Sequence, residues 1–208
     1  MTSWRLDVGC GRRKQPGFIG LDGSRNADCD VIADLGMGLP FRDGVFDEAW
    51  MSNVLEHVEN PVQVMEELWR VCRDTARLEI RGPHFSSPQL IWGDPTHRRG
   101  LSLGTFGYFT GESDWYVTRA RFAIASCCLV KGDTSFGDMS RKPWYWLLVL
   151  WNKTWEKLIN LSPTTISRYE RLLSRFIAFQ EIRVVLLVEK RGEPKAVDAE
   201  TRKGSSLS

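Results

Sequence analysis

The feature that most constrains this chain is LDVGCGRRKQPGFIGLD, residues 6–22. One apolar run ends in Asp7, a Gly-Cys-Gly turn and a short polar link follow, and a second apolar run ends in Asp22. The link RRKQPG is too short for more than a turn, so two strands lie close together in sequence, each delivering an acid at its carboxyl end. Open α/β sheets bind ligands at that end of their strands. Gly9 and Gly11 let the backbone pass close to a ligand with no Cβ in the way.

The ligand is not expected to be held by phosphates. A P-loop needs Gly-x4-Gly-Lys-Ser/Thr, and no such run occurs. A dinucleotide fingerprint would place a third glycine where Lys14 stands and its acid about twenty residues on, whereas Asp22 follows Gly11 by eleven. A nicotinamide-dependent oxidoreductase is therefore disfavoured. A molecule with a ribose diol, an adenine and an amino-acid tail fits better, because one carboxylate can accept hydrogen bonds from two adjacent hydroxyls.

The 208 residues are read as a single domain over 1–190 with a flexible tail at 191–208. A net charge of +2 argues against a nucleic-acid partner. None of the five cysteines has the spacing of a metal knuckle or redox pair, and no metal is expected. The N-terminus lacks a secretory pattern, so the cytoplasm is the expected compartment. Candidate strands are 4–8, 18–21, 30–33, 46–51, 76–80, 119–130 and 181–189. Between the fourth and fifth, Val62, Met65, Leu68, Trp69 and Cys72 recur at helical spacing, the signature of a helix covering a sheet. Alternating strands and helices give an α/β fold with a mostly parallel sheet. Residues 82–116, rich in Gly, Pro, Ser and aromatics, are read as irregular segments carrying substrate contacts.

Taken together, LDVGCG with GLD following, then IADLGMGLPFRDGVFDEAWMSNVLEHVENPVQVMEELWRVCR, resemble the class I S-adenosylmethionine-dependent methyltransferases, especially their compact methyltransferase-11-like branch. The likeness covers residues 4–100. It implies a Rossmann-like sheet whose last strand is antiparallel, and S-adenosylmethionine as cofactor. Carried onto this chain, Asp7, Gly9 and Gly11 would hold the methionine end, Asp22 the ribose, Asp34 the adenine amino group with Leu35 beside the base. Asn53 and His57 would sit near the cofactor and its methyl. The family's usual helix between the first two strands is replaced by RRKQPG, and with the chain starting on its first strand something other than an N-terminal cap is expected to close the site.

A base is required only if the acceptor is a hydroxyl or an ammonium. His84 in RGPHFSS follows the fifth strand, and Asp94 and His97 stand together in GDPTHRR. An imidazole can take a proton near neutral pH, and Asp94 could orient His97. Arg98 and Arg99 could pair with an anionic group.

Residues 143–161, PWYWLLVLWNKTWEKLINL, hold four of the nine tryptophans. Trp144, Leu147, Leu148, Trp151, Trp155, Leu158 and Ile159 form one stripe, yet Tyr145, Trp146, Val149 and Leu150 make the first turns apolar nearly all round. Leaving one tryptophan exposed forgoes about 4 to 6 kcal/mol of burial. This helical insertion, 131–179, is read as a lid, a homodimer contact or a peripheral membrane contact through residues 144–155. Helices are expected at 142–160 and 164–179. The acceptor is read as small or lipid-linked and methylated at oxygen or nitrogen; a methyltransferase-like binding module without catalysis is the alternative.

Overall fold

The computed structural model describes residues 3–111, 118–131 and 145–190. Its strands are β1 (Arg5–Val8), β2 (Ile19–Asp22), β3 (Val31–Ile32), β4 (Phe46–Ser52), β5 (Cys72–Pro83), β6 (Phe122–Val130) and β7 (Glu181–Val188). They form one sheet in the order β3-β2-β1-β4-β5-β7-β6. β1 to β5 run parallel, and β7 is antiparallel to both β5 and β6. This is the sheet expected from the sequence. Its order reverses beside β1 and β4, so the loops leaving those two strands diverge and open a crevice.

Parallel neighbours usually need a crossover of a dozen residues or more. β1 and β2 manage with residues 9–18. The Gly9 and Cys10 N–H groups both donate to the Leu21 carbonyl, at 2.7 and 3.2 Å, and Phe18 N donates to Gln15 O at 3.1 Å. The Gln15 N–H donates to Asp7 Oδ2 at 2.7 Å. Asp7, only 2% exposed, thus clamps the link from below, and no helix is needed.

Helix α1 (Pro61–Val71) starts where Asn60 accepts from Gln63 N and Pro61 supplies a preset φ. Val64, Met65, Leu68 and Val71 are its buried face. Trp69 lies at the edge of that face and donates its indole N–H to Glu189 O. Cys72, expected at the end of this helix, is extended and begins β5.

β5 is longer than the 76–80 read from sequence because alternate charged residues continue it. Glu79 accepts from Arg81 through Oε1 and from Arg77 through Oε2, Arg77 reaches Glu48 on β4, and Arg81 stacks over Trp50. The opposite face of the strand buries Leu78 and Ile80.

The stretch read as irregular contains two short helices, α2 (Pro88–Gly93) and α3 (Leu103–Gly107), the second held by a reciprocal Ser102–Thr105 capping box. Helix α4 (Tyr145–Ile159) matches the Trp-rich segment, with Trp144 outside the described residues, as are the tail and 132–144 of the insertion. Helix α5 (Pro163–Leu172) stops well short of residue 179. The Tyr169 hydroxyl lies 2.5 Å from Ile177 O and 2.9 Å from Ser86 Oγ, and Phe179 N donates to Ser86 Oγ. These bonds pull the chain off the helix axis and into β7. Among the described residues no helix is long and apolar enough to cross a membrane.

Candidate functional site

Two cavities open at the carboxyl ends of the strands and share His57. The first, about 750 Å³, is lined by Gly23, Ala33, Asp34, Leu35, Val54 and His57 among others. Asp22 stands at its mouth on the end of β2, one oxygen accepting from Gly11 N at 2.9 Å and the other from Ser24 N at 2.8 Å. Two backbone donors fix that carboxylate and leave a second lone pair on each oxygen for ligand hydroxyls. A Cβ on Gly11 would meet nothing within 4 Å, so the backbone there borders open space. Gly9 has φ +67°, and a Cβ on it would lie 2.4 Å from Val54 Cγ2, which is why glycine is required. Asp34 caps a single 3-10 turn at Leu35–Met37 by accepting from Gly36 N.

The second cavity is a cleft of about 880 Å³ whose wall includes Asn53, Asp94, His97, Lys131, Glu156 and Arg183. Val149, Asn152, Lys153 and Glu156 reach it from one face of α4, which forms one wall of the cleft. Asn53 has φ +55° at the end of β4, its N–H donating to Arg81 O at 3.0 Å; asparagine adopts this left-handed region more readily than most other non-glycine residues.

At the cleft floor, His97 Nδ1 lies 2.8 Å from Leu90 O. A carbonyl only accepts, so Nδ1 carries the proton and Nε2 presents a lone pair. His57 Nδ1 lies 3.0 Å from Thr96 Oγ1, which donates to Asp94 Oδ1 at 2.6 Å, so His57 has the same tautomer. The two rings meet edge to face at 4.6 Å. Beneath them Glu56 is fully buried. Burial raises its carboxyl above the usual range, opposed by His57 and His97. Asp94 is pulled below its ordinary value by the Thr96 hydroxyl and N–H.

Residues 16–80 match a family model described as a methyltransferase domain. Similar solved structures include a S-adenosylmethionine-dependent methyltransferase from Archaeoglobus fulgidus, 17% identical, with 89% of this chain and 86% of that chain aligned at a TM-score of 0.52. Another is a protein solved with the Haloferax volcanii Trm112 methyltransferase activator, 16% identical, 92% and 84% covered, TM-score 0.57. A third is the cyclase SpnF, 18% identical, 90% and 76% covered, TM-score 0.53. No curated protein sequence matches the chain. Sheet order, glycine turn, strand-end acid and family model agree. Residues 16–80 match a methyltransferase-domain model, and the fold is that of solved S-adenosylmethionine-dependent methyltransferases.

The Gly11 backbone and the fixed Asp22 carboxylate lie beside a cavity lined by Asp34 and Leu35, an arrangement that could hold a nucleoside such as that of S-adenosylmethionine. Asp34, Leu35 and His57 line that cavity, and Asp22 immediately precedes its lining residue Gly23 and accepts from Gly11 N. Asp7 is placed differently from the sequence expectation, with one carboxylate oxygen committed to the crossover and burial holding its carboxyl above the ordinary value despite the Gln15 N–H.

His84 is corrected outright. It is fully buried, its Nδ1 lies 2.7 Å from Ser86 Oγ and its Nε2 3.2 Å from Glu170 on α5. With both ring nitrogens engaged and neither cavity wall including it, His84 ties α5 to the sheet and is not placed to take a proton from a ligand. Asp94 and His97 do line the cleft, although Leu90 O orients the imidazole while Asp94 Oδ2 stands 3.8 Å from the opposite nitrogen. Arg99 donates to Glu59 O, and Arg98 is an exposed partner of Glu59. Glu56 was missed by sequence reasoning. Its signal was an acid directly before His57 in an otherwise apolar turn, Val54-Leu55-Glu56.

Proposed function

We propose that this methyltransferase moves the methyl group of S-adenosylmethionine to an oxygen or nitrogen of a small or lipid-linked acceptor seated in the 880 Å³ cleft. The observation that carries this reading is the meeting of the two cavities at His57: one has the apolar and acidic walls a nucleoside needs, the other a polar wall suited to an acceptor. The cofactor supplies an electrophilic methyl on a sulfonium; the chain's residues supply position. Asp22 and the Gly11 backbone hold the nucleoside end, and α4 walls off water. Holding two reactants in line can contribute about 7 to 11 kcal/mol. His97 Nε2, with its lone pair toward the cleft floor, accepts the proton of a hydroxyl or ammonium acceptor.

The outward side of α4 supports a second role. Leu147, Leu150, Trp151 and Leu158 are exposed there, with Leu161 just beyond the helix, on the side opposite the cleft-facing residues. We assign this face to contact, with the lipid surface that carries the acceptor or with a second copy of the chain. Trp151→Glu is expected to abolish vesicle co-sedimentation or self-association measured by ultracentrifugation, and wild-type protein that shows neither would remove the assignment.

Calorimetry and labelled cofactor test the main reading. Asp22→Ala is expected to weaken S-adenosylmethionine binding more than tenfold, about 1.4 kcal/mol. His97→Ala is expected to bind normally and transfer label slowly. Full turnover in the His97 variant would displace it as base. Tight cofactor binding with no label passed to any component of a metabolite extract would favour a non-catalytic module.

A further inference from the structure

We propose that Glu56, His57 and His97 form a binding site for one divalent transition-metal ion at the floor of the acceptor cleft. Three groups able to offer a lone pair converge here. Glu56 is fully buried, and neither of its carboxylate oxygens has a hydrogen-bond partner. Buried carboxylates are ordinarily paired or bound to a metal. Glu56 Oε1 is 4.0 Å from His97 Nε2, and one ligand atom from each of Glu56, His57 and His97 lies within 4.8 Å of the others.

The surroundings are those of ligands held in advance. A metal-binding imidazole donates its other N–H to a carbonyl or carboxylate, which fixes the tautomer and aims the lone pair. His97 does this to Leu90 O, and His57 does it to Thr96, which is itself bonded to Asp94. Gly82 leaves room for the acid: a Cβ there would sit 3.2 Å from Glu56 Oε2 and 2.7 Å from Leu101. Two imidazoles and one carboxylate suit zinc, manganese or cobalt better than calcium or magnesium, which prefer oxygen. Ligands about 2.0 to 2.2 Å from zinc are no more than about 4.4 Å apart, a separation that the 4.0 Å between Glu56 Oε1 and His97 Nε2 already meets. No sequence motif announces the site, because His97 is brought from forty residues beyond His57.

Three protein ligands leave positions open toward the cleft, where an acceptor oxygen could bind and lose its proton more easily; with the ion bound, His97 Nε2 is a ligand and that acidification takes the place of proton transfer to His97. That narrowing of the acceptor to a hydroxyl compound rests on the proposed methyl transfer. The metal site does not, and its test needs no turnover. Chelator-treated protein is titrated separately with Zn²⁺, Mn²⁺ and Co²⁺ by calorimetry, and bound metal is counted by atomic emission. One ion per chain is expected for at least one of the three. Losing a supporting partner typically costs 10- to 100-fold in affinity, so Thr96→Val is expected to weaken binding by roughly 10-fold and Glu56→Gln or His97→Ala by more than about 100-fold. Glu56→Gln should keep its S-adenosylmethionine affinity, which shows that the fold is intact. Should that variant fail to fold, the visible spectrum of Co²⁺ on the wild type decides: intense low-coordinate bands support the site, and a weak spectrum like that of hydrated Co²⁺ overturns it. Absence of binding to the wild type, or unchanged binding to Glu56→Gln, also overturns it. A chain that binds the ion but moves no methyl group would sink the catalytic reading and leave this one standing.

Discussion

Gly9→Ala separates two costs that a glycine turn usually hides. Gly9 sits at φ +67°, and a Cβ on it would lie 2.4 Å from Val54 Cγ2 and 3.1 Å from Cγ1, against the roughly 3.5 to 4.0 Å at which carbon atoms rest in contact. The left-handed backbone costs an alanine about 1 to 2 kcal/mol. Forcing a methyl group into packed space adds about 1 to 3 kcal/mol. The sum, about 2 to 5 kcal/mol, is a large share of the stability of an ordinary domain. Gly11 is the internal control, since its φ is +55° but a Cβ on it meets nothing within 4 Å. Gly11→Ala should therefore show only the backbone part, about 1 to 2 kcal/mol. Val54→Ala removes both clashing methyls, so Gly9→Ala in that background should recover about 1 to 3 kcal/mol as coupling energy. Urea unfolding followed by tryptophan fluorescence measures the wild type and all four variants at equal m-values. Equal losses for Gly9→Ala and Gly11→Ala, or a coupling energy near zero, would refute the steric reasoning. Calorimetry adds a second contrast: with the nucleoside seated as proposed, a methyl group on Gly11 is expected to weaken S-adenosylmethionine binding in a protein that remains folded.

Three further outcomes are expected. Tyr169→Phe leaves the Ile177 carbonyl and Ser86 hydroxyl without their shared partner and should cost about 1 to 3 kcal/mol in urea unfolding; a loss below the measurement error would show that the strap after α5 holds itself. Thr75, exposed at φ +64°, should gain about 1 kcal/mol on substitution by glycine, read as a rise in the unfolding midpoint. Glu67 accepts from Arg70 and from Leu39 N, and Arg70 holds its carboxyl below the ordinary value of 4.5. A lowered folded pKa means its contribution is complete above 4.5 and is lost as pH falls through the lower folded value. Glu67→Gln should therefore flatten the acid side of the stability profile, and an unchanged profile would count against the linkage.

The strand ends that form the candidate cofactor edge were legible because their information is local. The glycine turn, Asp22 and Asp34 each sit at the end of a short apolar run, and a strand's last residues face the ligand edge whatever else the chain does. α1 was legible for a related reason, its apolar spacing and the Asn60-Pro61 start being written within one segment. What failed depended on distant partners. β5 looked shorter than it is because Arg77, Glu79 and Arg81 read as surface charges until Glu48 and Trp50 of β4 are brought beside them. α5 looked longer because nothing near residue 172 shows that Ser86 will capture Phe179. His84 follows a strand as a catalytic base would, and only Glu170, from α5, turns it into a structural tie. Glu56 and His97 come together only after the chain has folded around β5.

The strand inserted between β5 and β6 is the last one made. During synthesis β1 to β5 leave the ribosome while β6 has no neighbour to pair with, and the middle of the sheet stays open until residues 181–188 emerge. Until then the edges of β5 and β6 are unpaired backbone, each a template for a second nascent chain. A premature stop before residue 181 would accordingly yield a fragment prone to aggregate, with its cofactor loops already in place and its acceptor side never closed.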